Sequence, residues 1–256
     1  MRKIYLGRPK KNRVGEKYFT KEGYEVEIIE YFDAYNCTIN FININVILFN
    51  IRFDHIKDGS VINPYHPTVC GVGYLGIGKY TSRNKVSKDK SKHYTTWANM
   101  IKRCYDEKIR EKYPTYKDVT VCEEWCNFQN FAKWFEENYR EGFALDKDIL
   151  LKGNKVYSPE TCCFIPNEIN ALFTKRQNHR GKYPIGVLFN NGRFRAQCCS
   201  LNNKKHIGSY NTSIEAFEVY KIAKEEEIKR VAKDWKDKIT EKVYQALINY
   251  KVEIDD

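Results

Sequence analysis

Two oxygen-bearing side chains near the middle of the chain are of the types that a hard divalent cation takes as ligands: the carboxylate of Asp146 and the amide carbonyl of Asn170. Asp146 stands in the run Ala144-Leu145-Asp146-Lys147-Asp148-Ile149-Leu150. Asn170 closes the run Tyr157-Ser158-Pro159-Glu160-Thr161-Cys162-Cys163-Phe164-Ile165-Pro166-Asn167-Glu168-Ile169-Asn170. Cleaving a phosphodiester calls for a cation that stabilises the leaving oxygen and the charge building on the phosphate, and these donors suit magnesium or manganese. The chemistry indicated is hydrolysis of a nucleic-acid backbone, provided the fold brings the two side chains together.

The neighbouring sequence predicts elements that would do so. Ala144 to Leu151 reads as a strand, Lys152-Gly153-Asn154-Lys155 as a turn and Cys162 to Ile165 as a second strand, with Pro166 in the first turn of a helix through Phe173. Asn167 and Asn170 then share a helix face. Upstream, the period becomes helical from Thr95: Trp97, Met100, Ile101 and Cys104 line one face, Thr95 or Thr96 can cap it, and Pro114 ends the region. A second helix is expected from Glu123 to Tyr139, where Trp125, Phe128, Phe131, Ala132 and Phe135 recur at helical steps and Gly142 is a stop signal. These helices are expected to pack against the strand-strand-helix unit and hold it rigid.

Composition narrows the setting. The 256 residues are 42% hydrophobic, enough for real cores, yet no apolar run approaches a bilayer span, so no membrane partner is expected. Six basic residues between Met1 and Arg13 are followed by no apolar core of a signal peptide, and a cytoplasmic protein is expected. The nine cysteines are odd in number and include two adjacent pairs, which points to reduced, buried thiols. Cys122 and Cys126 are three residues apart and no CxxC occurs, so no structural zinc is expected.

A net charge of +11 points to a polyanionic partner, because Lys and Arg displace the counterions condensed on phosphates. The excess is clustered. Residues 176 to 210 hold seven Lys or Arg and no acid; residues 79 to 92 hold six against Asp89 alone.

At the N-terminal end, Tyr24 to Phe32, Cys37 to Phe41 and Val46 to Phe53 are rich in β-branched and aromatic residues, with turns at 33–36 and 43–45, and predict a small β-barrel or twisted sheet. Near the other end, Tyr183 to Val187, Gly192 to Gln197 and Lys205 to Tyr210 predict three short strands with Asn190-Asn191-Gly192 as a hairpin turn. A helix follows, opened by a capping box of Thr212 with Glu215 and presenting Ala216, Phe217, Tyr220 and Ala223 to the sheet. It continues through Ile228, Val231 and Trp235 to a further apolar pattern at Ile239, Val243, Leu247 and Ile248, which can pack back on the core or mediate self-association.

The fold class expected is therefore α+β and multidomain. Its divisions are a basic arm (1–13), a small β-barrel-like module (14–70), a basic linker (71–92), a helical domain around Asp146 and Asn170 (93–178), a three-stranded-sheet module (179–223) and a C-terminal helical extension (224–256).

Asp146 to Asn170 resembles the HNH (ββα-metal) nuclease motif as carried by phage-encoded homing-type endonucleases. Trp97, Met100, Arg103-Cys104-Tyr105, Val121-Cys122 and Trp125 are similar to the segment that precedes the motif there. The resemblance implies that Asp146 is the first metal ligand and Asn170 the last, with magnesium or manganese as cofactor. Two positions depart from the family pattern: Lys147 stands where the general-base histidine is usual, and Thr161 replaces the middle asparagine. As a cation, Lys147 can hold the phosphate; Asp148, His93 and His179 are the alternative bases.

Residues Lys182 to Ala223 resemble the DNA-binding domain of plant ethylene-response factors, which is also appended to phage HNH endonucleases and lays its sheet in the major groove. Strand alternation would turn Phe194 and Ala196 to the helix and Arg193, Arg195 and Gln197 outward, where Arg reads guanine and Gln adenine. Lys204, Lys205 and His206, with Arg180 and Lys182, are the expected phosphate contacts. Ile185 and Leu188 stand where that family has arginines. Val14 to Pro64, with Phe53, Asp58-Gly59 and Asn63-Pro64-Tyr65, resembles a small module found beside phage HNH proteins, which implies auxiliary DNA contact.

Two function classes remain open at this point. One is a metal-dependent, site-directed endonuclease acting on double-stranded DNA, cutting one strand or both. The other is a sequence-specific DNA-binding regulator on the same scaffold without cleavage.

Overall fold

The computed structural model describes residues 12–84, 86–173, 183–199, 204–254 and 256, with the side chains of 199, 204 and 205 left out. Arg180, Lys182 and His179 lie outside the described residues, and Lys204 and Lys205 are placed only as backbone. The architecture is α+β. Contacts divide the chain into two compact units: one runs to Thr68 and includes Tyr74–Ile77, and the other is Val69–Gly73 with Gly78–Asp256.

The first unit is an antiparallel meander of β1 (Lys17–Phe19), β2 (Glu25–Asp33), β3 (Asn36–Phe41) and β4 (Val46–Ile51), followed by the short helix α1 (Phe53–Lys57). Alternation along β2 and β3 buries Val26, Ile28, Cys37, Ile39 and Phe41 against Ile56 of α1 and Val61. The barrel-like expectation is corrected here. Among the described residues no sheet closes: β1 has three residues and pairs only with β2, so β1 and β4 remain edges. The strand expected to reach Phe53 stops at Ile51, after Asn50 takes a positive φ of 56°. Gly59 (φ +70°) is required where the chain returns, because a Cβ there would sit 2.8 Å from the Phe19 carbonyl oxygen.

In the second unit, α2 (Lys92–Tyr105) is capped by Ser91, whose hydroxyl accepts from the Tyr94 amide, so the helix starts a turn earlier than Thr95 predicts. It is followed by α3 (Glu107–Lys112) and β5 (Thr120–Val121). The helix expected over 123–139 is two helices, α4 (Glu123–Cys126) and α5 (Phe128–Asn138). The break falls at Asn127, which leaves helical φ/ψ and accepts from the Gln129 amide at 3.0 Å, a side-chain bond that competes with helix continuation. Trp97, Met100 and Ile101 of α2 bury with Trp125, Phe128 and Phe131, and the Trp97 indole N–H donates to the Trp125 carbonyl at 2.7 Å. The basic stretch beyond Lys79 is held to itself by a bridge between Arg83 and Lys90 and to α5 by paired bonds between Tyr80 and Gln129.

These helices back a strand-strand-helix unit. β6 (Phe143–Asp146) pairs antiparallel with β8 (Cys163–Pro166), Asp146 opposite Cys163, with β7 (Val156–Tyr157) paired to β5 between them in sequence. α6 (Asn167–Leu172) follows directly, with Pro166 at its N-cap. Its apolar side, Ile169 and Leu172, joins Ile149, Cys163 and Ile165 in one core with Ile228, Val231, Val243 and Leu247 of the C-terminal helices. The C-terminal apolar pattern therefore packs back on this unit.

The last sheet is β9 (Val187–Asn190), β10 (Arg193–Cys199) and β11 (Lys204–Tyr210), with β10 central. α7 (Ser213–Asp234) opens with the Thr212–Glu215 capping box, covers one sheet face through Ala216, Phe217 and Tyr220, and is followed by α8 (Glu241–Ile248). The first strand begins at Val187 rather than Tyr183 because Gly186 takes φ +76° under the Tyr220 ring, where any Cβ would fall 2.1 Å from Cδ2. Among the described residues, no helix is long and apolar enough to cross a membrane.

Candidate functional site

β6 ends at Asp146 because the side chain ends it. Asp146 Oδ1 accepts the backbone N–H groups of Asp148 and Ile149, each at 2.8 Å, which turns the chain out of the strand instead of letting it continue to Leu151. Burial pushes the Asp146 carboxyl up, against the lowering effect of those two bonds. Oδ2 takes no hydrogen bond from the described residues. Asn170, on α6, lines the same cleft as Asp146, a space of about 650 Å³. The cation-ligand pair predicted from sequence thus shares one cavity, whereas Asn167 is exposed and does not line it.

Lys147 is 8% exposed, and its ammonium donates to Asp148 Oδ1 at 2.6 Å and to the Asn154 carbonyl at 2.8 Å. Its charge is directed into the loop after β6. That loop is tied by Asn154, a residue the sequence assigned only to a turn. Asn154 Nδ2 donates to the carbonyls of Lys147 (2.9 Å) and Val156 (2.6 Å), and Oδ1 accepts from the Val156 amide at 3.1 Å. Thr161 ties the second loop, donating to the Val156 carbonyl at 2.9 Å and sharing a bond with the Ser158 hydroxyl. Asp148 lines the cleft with its carboxylate half exposed.

Of the alternative histidine bases, His93 does not line the cleft. The His93 ring stacks on Phe128 (centroids 5.9 Å apart, planes 7° apart), and burial lowers its pKa. Among the described residues no histidine lines the cleft. The thiols are no substitute: burial pushes Cys104 and Cys162 up to about 12, so both stay protonated near neutral pH.

The third wall of the cleft comes from α2. Thr96, Asn99 and Arg103 recur at helical spacing beside the core stripe and line the cavity together. Burial opposes the Arg103 charge, but Tyr157 and Tyr116 beside it outweigh that effect and raise its pKa. Sequence reading found Arg103 only as part of a resemblance; its polar stripe gains meaning when a helix and a loop more than forty residues away meet.

In the sheet, Ala196 and Cys198 are buried toward α7 with Phe194 packed against them, so Arg193, Arg195 and Gln197 alternate to the other face. Arg193 is exposed and donates to Asn211 Oδ1 at 3.2 Å; Arg195 and Gln197 are partly exposed. Arg195 lies between Leu188 on β9 and Ser209 on β11, and Gln197 opposite the exposed His206 across a β-bulge. Leu188 is exposed, while Ile185 packs against the core beneath the sheet. Comparisons with models of known families, with curated proteins and with solved structures found no match.

Proposed function

We propose that this chain binds duplex DNA and carries a metal-dependent nuclease centre of the HNH (ββα-metal) type, with the β10 face selecting the target. The observation that carries the reading is the convergence of Asp146 and Asn170 on one polar cleft at the end of a strand-strand-helix unit. The donor set fits a hard cation: one carboxylate and one amide leave the remaining positions to phosphate and water, as magnesium prefers. Asp146 and Asn170 would hold that ion, and when bound it supplies charge stabilisation at the scissile phosphate.

Lys147 acts by position in this reading. Its ammonium fixes Asp148 at the cleft and anchors the loop carrying Asn154. Asp148 is then the group that takes a proton from the attacking water. Arg193, Arg195 and Gln197 present the donors and acceptors that distinguish base edges in the major groove, and Leu188 beside Arg195 suits contact with a thymine methyl.

One observation favours the second reading, a DNA-binding regulator without cleavage: no histidine lines the cleft among the described residues, and Lys147 is committed to Asp148 and Asn154. Incubation of purified protein with plasmid DNA and magnesium or manganese separates the two. The nuclease reading expects cutting by the wild type and binding without cutting by Asn170→Ala. Salt-sensitive binding with no cutting in either metal establishes the regulator.

A further inference from the structure

We propose that Asn99 and Arg103 of α2, with Lys155 from the loop before β7, form an anion subsite that grips a phosphodiester of the nucleic-acid backbone beside the one at Asp146. The inference rests on the reading of the cleft as a nucleic-acid site and names a contact that this reading does not contain. Its first support is charge bookkeeping within the cavity. Four cationic side chains line it, and two are already neutralised: Lys147 by Asp148 at 2.6 Å and Lys152 by Asp256 at 2.8 Å. Arg103 and Lys155 have no carboxylate within 4 Å among the described residues, so the cleft retains two uncommitted cations against the single carboxylate of Asp146.

Burial is the second support. Arg103 is half-buried, and arginine withdrawn from water is ordinarily paired with an acid. Here its neighbours are the hydroxyls of Tyr157 and Tyr116, which offer polar contact without cancelling charge. A planar guanidinium held this way presents its outer N–H groups as a fork matched to two phosphate oxygens. The third support is spacing: Asn99 stands one turn toward the N-terminus from Arg103 on the same stripe, so amide and guanidinium donors follow one another along the cavity wall, while the Thr96 hydroxyl, a turn further on, donates to the Lys92 carbonyl at 3.0 Å. Such a row suits an extended polyanion better than an isolated anion.

The test is binding of a fluorescent duplex to the full chain in EDTA, which removes cleavage from the readout, over a range of salt concentrations. Arg103→Gln is expected to weaken binding about tenfold and to lower the salt slope by about one, while Arg103→Lys keeps the slope and loses less affinity. Thermal unfolding checks each variant. If Arg103→Gln does not fold, the double variant Asn99→Ala with Lys155→Ala is read in its place, with at least threefold weaker binding expected. A wild type that binds while the folded variants keep its affinity and slope overturns the subsite and leaves the DNA-binding reading intact. A wild type that binds no duplex even at low salt removes both.

Discussion

Replacing Asp146 separates its two roles, ending β6 and carrying charge into the cleft. In Asp146→Ala the amides of Asp148 and Ile149 lose their shared acceptor. Asp148 is exposed and its amide can turn to water, but Ile149 is 6% exposed, and an orphaned buried donor costs about 1 to 3 kcal/mol. With the lost turn at the strand end, a destabilisation of about 2 kcal/mol is expected. Asp146→Asn keeps an oxygen in the same place and removes the charge. Because burial raises the Asp146 pKa in the folded state, the folded chain favours the protonated form. The stability from that preference is complete below the unfolded value of about 3.9 and is lost as pH rises through the folded value. Asp146→Asn should therefore match or exceed wild-type stability at pH 7, with the difference closing on acidification toward pH 4. Urea unfolding of the three proteins at pH 4, 5.5 and 7 without divalent metal measures this. Equal destabilisation of both variants at pH 7 would refute the reasoning, since it would mean that the charged carboxylate stabilises the fold.

Asn154→Ala removes three side-chain hydrogen bonds from a buried position and should cost about 2 to 4 kcal/mol by denaturant unfolding; a loss below about 0.5 kcal/mol would show that the loop does not depend on it. Arg195→Ala should weaken preferred-site binding by about 1 to 3 kcal/mol and relax specificity, and an unchanged footprint would remove it from the reading face. His93 is held neutral by burial, so its contribution is present above the unfolded pKa of about 6.5 and is lost as pH falls toward the lowered folded value. Between pH 7 and pH 5 the melting temperature of His93→Phe should therefore fall less, or rise more, than that of the wild type, and identical pH profiles would contradict this.

Where one face of an element carries a strong local signal, the sequence was legible. The core stripe of α2, the aromatic steps of α5, the Thr212–Glu215 box that opens α7 and the alternation of β10 all appear as read. What was not legible depended on side chains competing with backbone. Asp146 stops β6 by accepting two amides, and Asn127 divides a helix whose apolar period runs straight through it. The barrel expectation failed for a related reason, since closure depends on pairing between β1 and β4 that no local pattern encodes. The Asp146–Asn170 pair was readable because strand, turn and helix follow one another over a short segment. The α2 wall was not, because Arg103 and Lys155, distant in sequence, come to line one cavity only in the folded chain.

Manganese binding by electron paramagnetic resonance, in the presence of a duplex, is the most direct measurement of the central claim. One bound Mn²⁺ per wild-type chain is expected, with occupancy lost in Asp146→Asn and reduced at least tenfold in Asn170→Ala, while all three proteins still hold the duplex. Equal manganese occupancy in wild type and both variants would contradict a metal centre built on these two oxygens.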